Sequence, residues 1–192
     1  MRTSARLMHV KGGIVLKKLL GEERRQQLLA MLKTATNPIK GTDLAKESGV
    51  SRQVIVGDMT LLKARNEPIL ATSQGYVYIK KSTTTHVFER QIACVHAPDD
   101  AREELYTLVD SGVVVKNVTV EHPVYGELTA SIMVANRHEV DLFIARVEET
   151  GASYLSELTD GIHLHLIAAT SSDYIETAIA GMRRKGFLAD EN

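Results

Sequence analysis

The stretch from Thr42 to Lys63 limits what this chain can fold into more than any other. Thr42 reads as an N-cap for a short helix, Asp43-Leu44-Ala45-Lys46-Glu47-Ser48, and Gly49 carries the glycine signature of a helix end. Val50 leads into Ser51, a second N-cap residue. Arg52–Lys63 then places Ile55, Met59 and Leu62 at i, i+4 and i+7, a buried helical stripe. Two short helices across a Gly-Val-Ser turn match helix-turn-helix geometry. In that geometry the second helix enters the major groove with its N-terminal residues first. Ser51, Arg52, Gln53, Val56 and Thr60 are then the candidate DNA-binding residues. Arg52 can reach guanine O6/N7 and Gln53 adenine N6/N7.

The flanking residues extend the motif. Leu28, Leu29 and Leu32, with Met31 nearby, recur at helical spacing within Glu22–Lys33, and Asn37-Pro38 stops that helix. Pro68–Thr72 and Tyr76–Ile79 flank Ser73-Gln74-Gly75 and read as a β-hairpin, the wing of a winged helix. Charge agrees. Residues 1–82 hold 15 Lys/Arg and 6 Asp/Glu, whereas residues 83–192 hold 8 and 18, a net of +9 joined to a net of −10. A basic module has polyanions as its natural partner. The division expected is an N-terminal extension over 1–20, a winged helix-turn-helix domain over 21–81, and a second, acidic domain over 86–192, with Lys80–Thr85 as linker.

The acidic half reads as strand Val87–Val95, a helix opened by Ala97-Pro98-Asp99-Asp100 and running to Val109, and strands Val113–Val120 and Leu128–Val134 joined by Pro123–Gly126. Helix His138–Glu149, strand Ile162–Ala168 and a last helix capped by Ser171 or Ser172 follow. The order β-α-β-β-α-β-α is a split βαβ pattern. The fold class is α+β, a winged helix-turn-helix followed by an α/β sandwich with a largely antiparallel sheet.

This half also holds the chemistry. Ile162-His163-Leu164-His165-Leu166 alternates, so both histidines share one face of a strand and can share one metal ion. His96 ends the first strand of this half. Glu103 and Glu104 follow on the next helix, and spacing alone does not choose between them. The site also requires the first and last strands to lie close, whereas split βαβ sheets commonly separate them by another strand or let them meet across an interface. His122 and Tyr125 sit in a Pro/Gly turn; His122 reads either as a hydrogen-bonded turn histidine or, with Tyr125, as a candidate contact to a bound small molecule. Cys94 reads as a small core residue.

The segment L-A-K-E-S-G-V-S-R-Q-V-I-V-G-D resembles the biotin-repressor-type winged helix-turn-helix. His96-Ala97-Pro98, Glu121–Glu127 and Gly161-Ile162-His163-Leu164-His165 resemble the signature of the three-histidine ligand-binding domain. Joined, they resemble the niacin-responsive transcriptional repressors of bacteria, from about Glu22 to Leu188. That resemblance implies a homodimer on operator DNA of niacin uptake or NAD biosynthesis genes, with nicotinic acid as co-repressor. It also implies a divalent metal (zinc, nickel, iron or manganese) on His96, Glu104, His163 and His165. It thereby favours Glu104 over Glu103.

Two other readings compete: a repressor that senses the metal itself, and a metal-dependent enzyme fused to a DNA-binding module. The chain shows no Gly-rich phosphate loop, nucleophile elbow or H-E-x-x-H, and about 107 residues are few for a full catalytic domain, so a non-enzyme is expected. No apolar run reaches membrane-spanning length, so no membrane partner is expected. One cysteine fits the cytoplasm.

Overall fold

The computed structural model describes residues 21–79 and 87–189. The extension over 1–20 and the Lys80–Thr85 linker lie outside the described residues.

Helix α1 (Gly21–Thr34) buries Leu28 and Leu32 against α2 (Gly41–Glu47) and α3 (Arg52–Ala64). Ser51 caps α3, its hydroxyl accepting from the Val54 N–H, and Ile55, Met59 and Leu62 point inward as the stripe requires. Thr42 does not cap α2. The helix begins two residues earlier, at Gly41, with Lys40 at the cap position and no side-chain cap bond. The inward face of α3 also carries Asp58, where the stripe shows only apolar residues. Asp58 accepts from Arg24 Nε at 2.6 Å and from Arg25 Nη1 at 3.3 Å, tying α1 to α3 through a buried ion pair. Such a pair fixes the mutual orientation of the helices more than it stabilises them.

Strands β1 (Ile69–Thr72) and β2 (Gly75–Tyr78) form the wing, with Ser73-Gln74 at the turn. Gly75 begins β2 with φ +142°, and a Cβ there would stand 2.4 Å from the Ile39 carbonyl oxygen. Glycine thus lets the wing bond to the helices through the mutual Ile39–Tyr76 backbone pair.

The second half is one antiparallel sheet of four strands: β3 (Phe88–Val95), β4 (Val114–His122), β5 (Gly126–Val134) and β6 (Ile162–Ala169), in the order β3-β6-β4-β5. Helices α4 (Ala101–Asp110), α5 (Arg137–Thr150) and α6 (Ser172–Lys185) pack on one face, and Ser171, rather than Ser172, caps α6. Because β6 lies between β3 and β4, the β3-α4-β4 unit is a split βαβ. The first and last strands are direct neighbours, with Cys94 paired to His163, and not separated by another strand. The alternation in β6 holds, but burial reverses the simple expectation for apolar side chains. His163 and His165 face the helices, whereas Ile162, Leu164 and Leu166 face away from them and Ile162 is 56% exposed.

The sheet is interrupted at one place. Between the pairs Val115↔Val134 and Asn117↔Ser131, β4 has one residue and β5 has two, a β-bulge at Ile132-Met133. On its other side, β4 gains one residue on β6, between Val115↔Ile167 and Asn117↔Leu166. Met133 takes φ +56°, unusual for a residue with a side chain.

Candidate functional site

Along α3, Val56 is half-buried and Thr60 exposed, and the N-terminal end of the helix exposes Ser51, Arg52 and Gln53. Val54, also on this end, is 38% exposed. Thr60 already donates to the Val56 carbonyl at 2.9 Å, so its hydroxyl can still accept. Arg52 and Tyr76 of the wing both approach Gly41: a Cβ there would be 3.4 Å from the Tyr76 ring and 3.8 Å from Arg52 Nε.

In the acidic half, four side chains converge under α4. His96 follows β3. Pro98 opens a 3-10 turn over Pro98–Asp100, and α4 then carries Glu104 back over the strand end. The rotation that spacing left open is resolved by burial. Glu104 is 2% exposed, whereas Glu103 faces outward and pairs with Lys185. Glu104 Oε2 lies 2.8 Å from His96 Nε2 and 3.2 Å from His165 Nε2; Oε1 lies 3.2 Å from His163 Nε2. The Nε2 atoms of His163 and His165 are 3.2 Å apart.

The protonation of these rings follows from what lies behind them. Each Nδ1 faces a main-chain carbonyl: His96 that of Ala97 at 2.8 Å, His163 that of Gly161 at 2.9 Å, and His165 that of Asn117 at 2.7 Å. A carbonyl only accepts, so every Nδ1 carries the hydrogen and every neutral ring turns an Nε2 lone pair inward. Three lone pairs and a carboxylate thus face one another in a buried space. Only a cation, either a shared proton or a metal ion, makes that arrangement favourable. His96 Nε2 shows which fits better. It is buried and, although 2.8 Å from Glu104 Oε2, forms no hydrogen bond, as expected where a lone pair meets a carboxylate. Two acceptors held this close suit a shared cation better than a direct bond between them. Carbonyls fixing the tautomer of ligating histidines are the usual outer partners of such sites.

Charge responds accordingly. Burial opposes the ionised form of Glu104, but the imidazoles, His165 foremost, outweigh it and hold the carboxyl well below its usual range. Burial likewise pushes His165 and His96 down, and Glu104 more than reverses this, so both end raised. Cys94 sits beneath the cluster, its ligand atom within 4.8 Å of those of Glu104 and His163. Burial first, and then Glu104, push its thiol far up, so it is a neutral donor to the carboxylate.

A cavity of about 260 Å³ opens beside the cluster. Leu105, Val118, Ile132 and Phe143 give it apolar walls, and the Ala152–Ser156 segment, including Tyr154, closes one side. That segment leads into a 3-10 helix (Leu155–Thr159) with no apolar periodicity, which is why pattern reading passes over it. His122 and Tyr125 are not among the lining residues. They stand at the tip of the β4–β5 hairpin, where His122 Nδ1 accepts from the Val124 and Tyr125 N–H groups at 3.2 and 3.3 Å. Their rings lie 4.9 Å apart, and Tyr125 is 75% exposed. His122 closes its own turn, so the structure does not bring either residue to the cavity.

Known proteins share both halves. Residues 24–77 match the HTH domain and residues 89–191 the 3H domain. The transcription repressor NadR of Bacillus subtilis is 52% identical over 172 residues, covering 89% of this chain and 96% of that protein. The probable transcription repressor NiaR of Thermotoga maritima is 36% identical over 174 residues, covering 91% and 98%. Among the described residues no helix is long and apolar enough to cross a membrane.

Proposed function

This chain belongs to the family of transcription repressors, NadR and NiaR among them, that join an HTH domain to a 3H domain, and from that premise we propose an effector-gated, non-enzymatic repressor of niacin uptake or NAD biosynthesis genes. Its co-repressor is nicotinic acid and its regulatory half holds a divalent metal. The observation that carries the reading is the convergence of three Nε2 lone pairs and the Glu104 carboxylate at the end of an apolar cavity.

His96, Glu104, His163 and His165 would hold the ion. Three nitrogens and one oxygen suit zinc, nickel, iron or manganese, and an ion accepting six ligands keeps positions for the carboxylate or pyridine nitrogen of a small acid. The chain supplies the rest. Phe143, Ile132 and Val118 offer apolar contact to a single ring, and the 152–156 segment excludes water from it. Ser51, Arg52, Gln53, Val56 and Thr60 face the operator. A palindromic operator needs two recognition helices about 34 Å apart, or a multiple of that, so the working unit is a homodimer. The β3–β6 edge of the sheet face away from the helices, where Val95 and Ile162 are exposed, offers an apolar surface for the second copy. The cytoplasm is where such a unit meets its DNA.

Elemental analysis of the purified protein beside His163→Ala tests the metal. Equal metal in the two would remove the shared cluster. Operator gel shifts of the metal-loaded protein, alone and with nicotinate or nicotinamide, test the effector. A gain with nicotinate is expected. Full operator affinity with metal alone, unchanged by either compound, would make the chain a metal-sensing repressor.

A further inference from the structure

The tip of the wing is held by the regulatory half. Ser73 Oγ donates to the Ile132 carbonyl at 2.6 Å, and Gln74 Nε2 donates to the Met133 carbonyl at 3.0 Å. The Arg146 guanidinium donates to the Ser73 carbonyl. Two consecutive residues of one turn thus engage two consecutive carbonyls of one strand.

Those carbonyls are available because of the bulge. In a regular antiparallel ladder, successive carbonyls point to opposite sides of the strand. The extra residue of β5 and the positive φ of Met133 break that alternation, so Ile132 and Met133 both serve the wing. A side-chain-bearing residue in the left-handed region persists only where its surroundings over-determine it, and such residues gather at switch regions.

The same elements wall the cavity. Ile132 lines it with its side chain while its carbonyl takes Ser73. Phe143 and Val147 of α5 line it, and Arg146, next to Val147, reaches the wing. Beyond the tip, Tyr76 of β2 packs in the helical core, bonds to Ile39, and shares the space over Gly41 with Arg52.

The geometry points to this wing seat, Ser73 and Gln74 on the β5 bulge with Arg146 behind them, as the element through which the cavity sets the recognition helix. The inference rests on the effector reading of the cavity. A ligand touching both β5 and α5 fixes the spacing at which Ile132, Met133 and Arg146 can grip the tip together. Occupancy therefore favours the seated wing, and the seated wing holds Tyr76 and Arg52 in one position. Ser73, Gln74 and Arg146 are positioning residues; none touches the cavity itself.

Hydrogen exchange and operator binding by the full chain test this together. In the wild type, nicotinate added to metal-loaded protein is expected to slow amide exchange over 69–78 and 130–134. In Arg146→Ala and in Gln74→Ala, residues 130–134 still respond and the wing does not. The nicotinate-dependent gain in operator affinity falls from a coupling in the ordinary range of about 5–150-fold to below about twofold, while nicotinate still binds. Linkage demands the converse, that operator DNA tightens nicotinate by the same factor in the wild type and hardly at all in the variants. Variants that keep the wild-type gain would overturn the inference. So would a wild-type wing indifferent to both nicotinate and metal alone. A wing that responds to metal but not to nicotinate upholds the seat and sinks the nicotinate reading.

Discussion

The main-chain carbonyl of Asn117 accepts from His165 Nδ1 at 2.7 Å, while the Asn117 side-chain oxygen accepts the Leu166 N–H at 3.1 Å. The second bond permits the first. Where β4 slips against β6, the amide oxygen stands in for the ladder acceptor, and the carbonyl is released to orient a ring of the histidine cluster.

Asn117→Ala is therefore expected to act on a metal it does not touch. Leaving the Leu166 N–H without an acceptor costs about 1–3 kcal/mol. Loss of the oriented carbonyl weakens metal binding by about 10–100-fold. Metal titration of the stripped protein checks this. An unchanged metal affinity beside a lowered melting temperature would confine Asn117 to the sheet.

Arg52→Ala is expected to lose about 1–3 kcal/mol of operator affinity and to relax preference at one base pair. Gel-shift titration at fixed salt, against the operator and a scrambled duplex, measures both. Equal losses on the two would assign Arg52 to phosphate.

Stripped and loaded protein should respond oppositely to pH. Glu104 is depressed from 4.5, so its contribution in the stripped protein is present above that value and is lost as pH falls through the lowered one. His96 and His165 are raised from 6.5, so theirs is present below that value and is lost as pH rises through the raised ones. The stripped protein is thus most stable in mildly acidic solution. Metal needs neutral imidazoles, so the loaded protein gains towards alkaline pH. Thermal melts from about pH 5 to 9, with and without chelator, read the crossing of the two curves. Parallel curves would show that the ion is not bound by these rings.

Gly161→Ala should part the two strands that carry the cluster. Gly161 has φ +90°, and its Cβ would stand 2.4 Å from the His96 carbonyl oxygen. The backbone strain alone is about 1–3 kcal/mol. Loss of both stability and metal content is expected, by calorimetry and elemental analysis. His122→Ala, at the distant hairpin tip, is expected to change neither metal content nor nicotinate affinity.

Legibility followed distance along the chain. The Ser51 cap and the Ile55/Met59/Leu62 stripe depend on neighbours within two turns, and pattern alone shows them. The pairing of His163 and His165 on one strand face is equally local. Asp58 shows where pattern stops: its partner, Arg24, is 34 residues away, so a carboxylate on the buried face carries no local signal. Asn117 and His165, 48 apart, and Ser73 and Ile132, 59 apart, meet only through strand order and a bulge. Glu103 and Glu104 differ by one step of a helix, and only the packing of α4 on the sheet tells which turns inward.

The partners of the three imidazoles are the carbonyls of Ala97, Gly161 and Asn117, and a carbonyl survives every substitution. A mutation can delete a ligand from this cluster outright, whereas exchanging the residue behind a ring can turn it only by moving the main chain, as Asn117→Ala and Gly161→Ala are expected to do. The aim of the donors is inherited with the path of the chain, so an engineer seeking a different ion must replace the rings themselves or bend the strands that carry them.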